Sequence, residues 1–242
     1  LDAAAIDALV RDRIARGELL YTLDEDRFRA LDPTVVLTQD LCRVCALPSG
    51  EVDRAMDRLG CGAEVVTLDP HTVEEVFETV LAVGEACGVS ERAVSLVASL
   101  RARLDAVRQR VSDKQRPSVF VLEWPDPPFV AGHWVPELVA IAGGEPVLAQ
   151  PGGRSVPTTW DEITAVDPDV VIVASCGFDV DGALQHATEL VDRLPARCAV
   201  WCIDANGLVV RPGPRLVDGV ETIAALLHGV GETNPTKAVR FR

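Results

Sequence analysis

Glu91-Arg92-Ala93-Val94-Ser95-Leu96-Val97-Ala98-Ser99-Leu100-Arg101-Ala102-Arg103-Leu104-Asp105-Ala106-Val107-Arg108-Gln109-Arg110-Val111 divides the chain in two. Val97, Leu100, Leu104, Val107 and Val111 keep one apolar stripe over about five helical turns, with arginines on the other side. Upstream, residues 2–16 place Ile6, Leu9, Val10 and Ile14 at helical spacing, and Asp24 to Leu31 predicts a short helix that Asp32-Pro33 ends. Val35 to Thr38 reads as a strand, Ser49 to Leu59 as a helix, Glu64 to Leu68 as a strand, and Thr72 to Ala86 as a helix with a Thr72-x-x-Glu75 capping box. Downstream, strands are predicted over 118–123, 146–148, 169–174 and 199–203, and helices over 134–142, 159–166, 180–193 and 214–228. A proline-rich loop spans 125–132, and the tail after Gly229 is expected to fray. Alternating strands and helices point to an α/β fold with parallel sheets. The expected organisation is an N-terminal lobe over 1–89, a stiff connecting helix over 90–112 and a C-terminal lobe over 113–242.

Ala30-Leu31-Asp32-Pro33-Thr34-Val35-Val36-Leu37 is echoed by Ala165-Val166-Asp167-Pro168-Asp169-Val170-Val171-Ile172. Each copy runs from a helix end through an Asp-Pro turn into a strand, and then into a small polar loop, Gln39-Asp40-Leu41-Cys42 or Ser175-Cys176-Gly177-Phe178. Asp-Pro before a β-branched strand is also common local grammar. Ligands of open α/β sheets sit beyond the carboxyl ends of the strands, so two such loops on two lobes predict a ligand between the lobes.

The 242 residues are 48% apolar and 25% charged, with 23 Lys and Arg against 37 Asp and Glu, a net charge of −14. That balance repels phosphate backbones and anionic lipid, which argues against nucleic acid and membrane partners. The longest apolar run, around Val170 to Ala174, is far short of the ~20 residues that span a bilayer. No signal peptide is visible from Leu1, so a cytoplasmic location is open. Seven cysteines, an odd number in a chain this long, read as reduced thiols, and Cys42-Arg43-Val44-Cys45 has no second pair at zinc-ribbon spacing.

The common enzyme signatures are absent: no G-x-G-x-x-G, G-x-x-x-x-G-K, G-x-S-x-G or H-E-x-x-H occurs. An enzyme is not expected, nor a catalytic cofactor. Of four histidines, His186 and His228 read as surface residues of helices, His71 precedes a helix, and His133 alone has dense company. That company is Leu122-Glu123-Trp124-Pro125-Asp126-Pro127-Pro128-Phe129-Val130-Ala131-Gly132-His133-Trp134-Val135-Pro136-Glu137-Leu138. Aromatics on a proline-stiffened loop at a strand's carboxyl end suit a large, flat, apolar ligand, although any one of them could instead close the core beneath.

This order, followed by Ala142-Gly143-Gly144, Ser155 to Trp160 and Asp167-Pro168-Asp169-Val170-Val171, resembles the cobalamin-binding branch of the ABC-transporter substrate-binding proteins, the class that also binds ferric siderophores and haem. The resemblance runs from about Asp24 to Gly229, and Thr38-Gln39-Asp40-Leu41-Cys42-x-x-Cys45 is similar to the branch's first-lobe cleft loop. It implies two Rossmann-like lobes joined by one long rigid helix, with a corrinoid held between them for an ABC permease. It also implies an extracytoplasmic location, in the periplasm or cell envelope, and a monomer is expected. Trp124, Phe129, Trp134 and Phe178 would supply contact area; Gln39, Asp40, Leu41, Cys42, Asp126, His133 and Ser175 complete the expected site, with His133 a candidate cobalt contact. Glu51 fits the first-lobe permease-docking carboxylate. Family members begin with a strand and a helix not seen before Leu1, so the first lobe reads as N-terminally incomplete. Val210 stands where the second docking carboxylate is expected, and Leu208 where a cleft aromatic is. The competing reading is a cytosolic thiol, metal or redox protein using Cys42, Cys45 and Cys176.

Overall fold

The computed structural model describes residues 2–40 and 49–242, which divide into two compact units. Unit 1 takes the residues up to Pro70 together with Phe77–Val97; unit 2 takes His71–Val76 and Ala98–Arg242.

In unit 1, Asp2 caps α1 (Ala3–Ala15) and Asp24 caps α2 (Glu25–Leu31), each carboxylate accepting a backbone N–H from three residues on, at 2.8 and 3.0 Å. Strand β1 (Val35–Gln39) and strand β2 (Glu64–Leu68) flank α3 (Ser49–Leu59) and pair in parallel, Val35 opposite Glu64 through Gln39 opposite Leu68. Helix α4 (Val73–Ala86) opens with the reciprocal bonds expected of Thr72 and Glu75: Thr72 Oγ1 accepts the Glu75 N–H at 3.2 Å and Glu75 Oε2 the Thr72 N–H at 3.3 Å. Helix α5 (Ser90–Val111) runs unbroken, its residues to Val97 counted with unit 1 and those from Ala98 with unit 2.

Unit 2 is built on a sheet of β3 (Ser118–Pro125), β4 (Pro128–Val130), β5 (Glu145–Pro146), β6 (Val156–Pro157), β7 (Val170–Val173), β8 (Ala199–Ile203) and β9 (Ala238–Arg240). The order is β6-β4-β3-β7-β8-β9, with β5 also on β3. The pairs β3 with β5, β3 with β7 and β7 with β8 are parallel, while β4, β6 and β9 add antiparallel margins. All four residues of β7 are buried, as a strand covered on both faces requires. Helices α6 (Val135–Ile141), α7 (Trp160–Ala165), α8 (Val180–Glu189), α9 (Ala205–Leu208) and α10 (Leu216–His228) complete the unit. Arg103 of α5 clamps α10 through Glu221, at 3.0 and 2.7 Å, and Asp218, at 2.6 Å. All four tryptophans, Trp124, Trp134, Trp160 and Trp201, belong to this unit.

The α/β expectation holds, and the two Asp-Pro turns are built alike: Asp32 and Asp167 are both left-handed, at φ 43° and 42°. Two local expectations fail. The proline-rich loop contains β4, which folds back on β3 with Trp124 opposite Phe129. The tail does not fray, because β8 offers a free edge: Ala238–Arg240 pairs antiparallel with it, Phe241 packs on the core, and Arg242 donates to the Pro195 carbonyl at 2.6 Å. Phe241→Ala is therefore expected to lower the unfolding free energy by about 1 to 2 kcal/mol, read by chemical denaturation; an unchanged midpoint would mean the strand contributes nothing.

At the amino end of β3 the C-termini of α5, α6 and α10 meet. A Cβ on Gly143 would lie 2.6 Å from His228 Nε2 and 3.0 Å from Val111 Cβ, so only glycine, here at φ 86°, fits. Arg108, Lys114 and Arg116 line a concavity of about 360 Å³ there. Cations beside helix C-termini offset the negative end of the dipole, which accounts for this basic cluster in an acidic chain.

Candidate functional site

The carboxyl ends of β3, β7 and β8 share one edge of unit 2. Strand β3 ends in Trp124-Pro125, turns through a cis Asp126-Pro127 bond and returns as β4. Trp124 Nε1 donates to the Asp126 carbonyl at 3.1 Å, which fixes the indole on the turn. After β7, the Cys176 N–H donates to the Glu123 carbonyl at 2.9 Å and the Phe178 N–H to the Ser175 carbonyl at 3.0 Å, with Gly177 left-handed at φ 90°. These bonds bring the Trp124 and Phe178 rings to 6.1 Å at 51°, both half-buried, with Asp126 exposed and Phe129 half-buried on the same hairpin. An aromatic pair spanning two adjacent strand ends offers contact area to an apolar ligand.

Beside it, three segments converge. Gly132 lies so close to residues 153–155 that a Cβ would sit 2.3 Å from the Ser155 nitrogen. His133 follows in a left-handed conformation, φ 53°, held because its N–H donates to the Gly153 carbonyl at 2.5 Å and its carbonyl accepts the Gly152 N–H at 3.0 Å. Ser155 Oγ donates to Glu123 Oε2 at 2.9 Å and accepts the Gly132 N–H at 3.2 Å. The third segment is His71–Val76: the His71 ring lies 5.6 Å from the His133 ring, Glu75 Oε2 accepts the His71 N–H at 2.5 Å, and Glu137 Oε2 accepts the Val73 N–H at 2.8 Å.

Unit 2 thus brings Trp124, Asp126, Phe129, His133 and Phe178 to one edge, and two expected contacts turn inward instead. Trp134 is 2% exposed and its Nε1 donates to the Val209 carbonyl at 2.6 Å, so it packs the core rather than offering a surface. Ser175 is fully buried and its hydroxyl pairs with His186 Nδ1 at 2.9 Å. His186, expected on the surface, is buried and meets the Phe178 edge at 4.6 Å; His228 is half-buried, with its Nε2 inside. In unit 1, Gln39 ends β1 and Asp40 follows it, its N–H donating to the Leu68 carbonyl at 3.3 Å. Leu41, Cys42 and Cys45 lie outside the described residues. Glu51, in the first turn of α3, pairs with Arg54. Leu208 is buried and Val210 half-buried. His71, Glu123 and Ser155 are additions; nothing local marks His71, whose neighbour in space is 62 positions away.

Burial holds the His186 imidazole below its ordinary value of 6.5. The folded state therefore resists the proton that the unfolded chain accepts, and the stability present above pH 6.5 is lost as pH falls through the depressed folded value. Thermal melts should drop over that window, and His186→Gln should flatten the drop; an equal drop in the variant would assign the effect elsewhere. Burial also pushes the Cys202 thiol up to about 12 and raises that of Cys198, so neither offers a thiolate. Among the described residues, no group of three His, Cys, Asp or Glu side chains could hold a metal ion, and no helix is long and apolar enough to cross a membrane.

Residues 21–196 match the family model described as periplasmic binding protein, and the chain belongs to that family. It is 26% identical over 211 residues to YvrC of Bacillus subtilis (strain 168), named an uncharacterized ABC transporter substrate-binding lipoprotein; the match covers 82% of this chain and 63% of YvrC. Among solved structures, a periplasmic heme binding protein from Pseudomonas aeruginosa superposes with a TM-score of 0.69 at 21% identity, covering 90% of this chain and 81% of that one. The periplasmic vitamin B12 binding protein BtuF of Vibrio cholerae does so at 0.62 and 19%, covering 85% and 78%. At these identities the likeness concerns the fold.

Proposed function

We propose that the chain is the substrate-binding component of an ABC importer, working outside the cytoplasm, and that it holds a corrinoid-like molecule against the Trp124–Phe178 edge of unit 2. The observation that carries this reading is the aromatic pair itself, two half-buried rings fixed by backbone bonds on neighbouring strand ends. A bulky, largely apolar ring system needs such area and a few polar groups around it, here Asp126 and His133. The ligand is bound and handed on chemically unchanged, with a permease as partner and Glu51 as a docking carboxylate. Family membership supports the importer role, and the vitamin B12 and heme binding proteins of similar fold support the ligand size. The thiol reading gains no support from Cys176, the one member of its trio among the described residues. Calorimetric titration with hydroxocobalamin tests the proposal: saturable binding at one site is expected, and no heat or spectral change up to millimolar ligand would reject it.

A further inference from the structure

The two rings of the aromatic edge are held by different means. Trp124 has a hydrogen bond of its own, to the Asp126 carbonyl, whereas a phenyl ring has none to make and takes its orientation from what it packs against. Besides Trp124, the Phe178 ring packs on two residues of α8 that lie one helical turn apart. At Gly182 a Cβ would sit 2.7 Å from Phe178 Cδ1, so glycine leaves the room that the ring fills. At His186 the imidazole meets the phenyl ring at 4.6 Å and 72°, an edge-to-face contact.

His186 is itself held by Ser175, whose Oγ lies 2.9 Å from its Nδ1, both side chains being buried. Because the Ser175 carbonyl accepts the Phe178 N–H at 3.0 Å, the three residues close a circuit of two hydrogen bonds and one ring contact. The surroundings offer little to a second proton on the imidazole. Strand β7 is aliphatic throughout, the Cys202 thiol of β8 is pushed up to about 12 and donates to the Ala183 carbonyl, and Arg240 of β9 lies over Trp201. Among the described residues Glu189, on α8 itself, is the charge that favours the imidazolium, and burial outweighs it.

A charged imidazole in such a site either stays desolvated at high cost or swings towards water, and in both cases Phe178 loses the neutral ring that supports it. We propose that His186 is the positioning residue of the aromatic edge, seating Phe178 for the ligand while neutral and releasing both ring and ligand on taking up a second proton; this rests on the binding reading above. Proton and ligand are then linked reciprocally, each held more weakly in the presence of the other. Since the neutral form binds, affinity is full above pH 6.5 and falls as pH drops through the depressed folded value, by up to about tenfold per pH unit.

Cyanocobalamin is the probe, because both axial positions of its cobalt are filled and it does not titrate in this range. Calorimetric titrations run from pH 8 down to the lowest pH at which circular dichroism shows the native protein. The unaltered protein should lose affinity below a midpoint that matches the His186 ring titration followed by NMR. It should also release a proton on binding there, seen as a binding enthalpy that varies with the buffer. His186→Gln should bind about 2- to 10-fold more weakly at pH 8, the worth of one ring contact, and then show no acid limb. In the ligand-free protein the Trp124 indole N–H resonance should move with the His186 midpoint, and in Phe178→Leu the histidine should titrate while the indole no longer follows. Affinity independent of pH, an acid limb that survives His186→Gln, or an indole that ignores His186 or still follows it without Phe178 would overturn the positioning role while leaving the binding function standing. No binding at pH 8 would reject the binding reading and this one with it.

Discussion

Trp134→Ala should lower the unfolding free energy by about 3 to 5 kcal/mol, the range for truncating a large aromatic in a packed core. The side chain is 2% exposed and opens the turn into α6, so nothing can flow in to refill the space at low cost. Trp134→Phe separates the two contributions. It keeps most of the apolar volume but leaves the Val209 carbonyl without its donor, which should cost about 1 to 3 kcal/mol. Chemical denaturation monitored by circular dichroism gives both numbers. A phenylalanine variant as stable as the parent would mean that water replaces the indole, and that the bond to Val209 only orients the ring.

Trp124→Ala should have the opposite profile, with little change in folding and a loss of hydroxocobalamin affinity of about 2 kcal/mol, or roughly 30-fold. The ring is half-buried and already fixed by the Asp126 carbonyl, so binding costs it little freedom. Calorimetry on the folded variant decides it. Equal affinity would remove the hairpin from the site.

The difference between these two tryptophans marks how far the sequence could be read. Both sit in one aromatic-rich segment, and composition recommends both equally as ligand contacts. Which one faces out depends on the short fold-back of β4 and on Gly132 docking against residues 153–155, a contact made across more than 20 positions, and neither leaves a periodic trace. His186 shows the same limit: with Gln185 and Thr188 around it, it reads as a surface residue, and only the Ser175 hydroxyl eleven positions away explains its burial. Local grammar fared better wherever the determinants are local. The helix at Ser49–Leu59, the strands at Glu64–Leu68 and Ala199–Ile203 and the Thr72–Glu75 cap lie where periodicity and capping chemistry place them. Strand β9 was invisible because a three-residue strand has no pattern of its own; it exists only because β8 has an edge to fill.

The placement of all four tryptophans in unit 2 has an optical consequence. Indole emission reports on that unit and is blind to unit 1, whose one phenol, Tyr21, is a weak emitter beside four indoles. A fluorescence-detected melt therefore follows the aromatic edge and its core, while differential calorimetry registers every residue that unfolds. Coincident transitions from the two methods would mean that the units melt as one cooperative body. A calorimetric event with no change in emission would be the signature of unit 1 melting by itself.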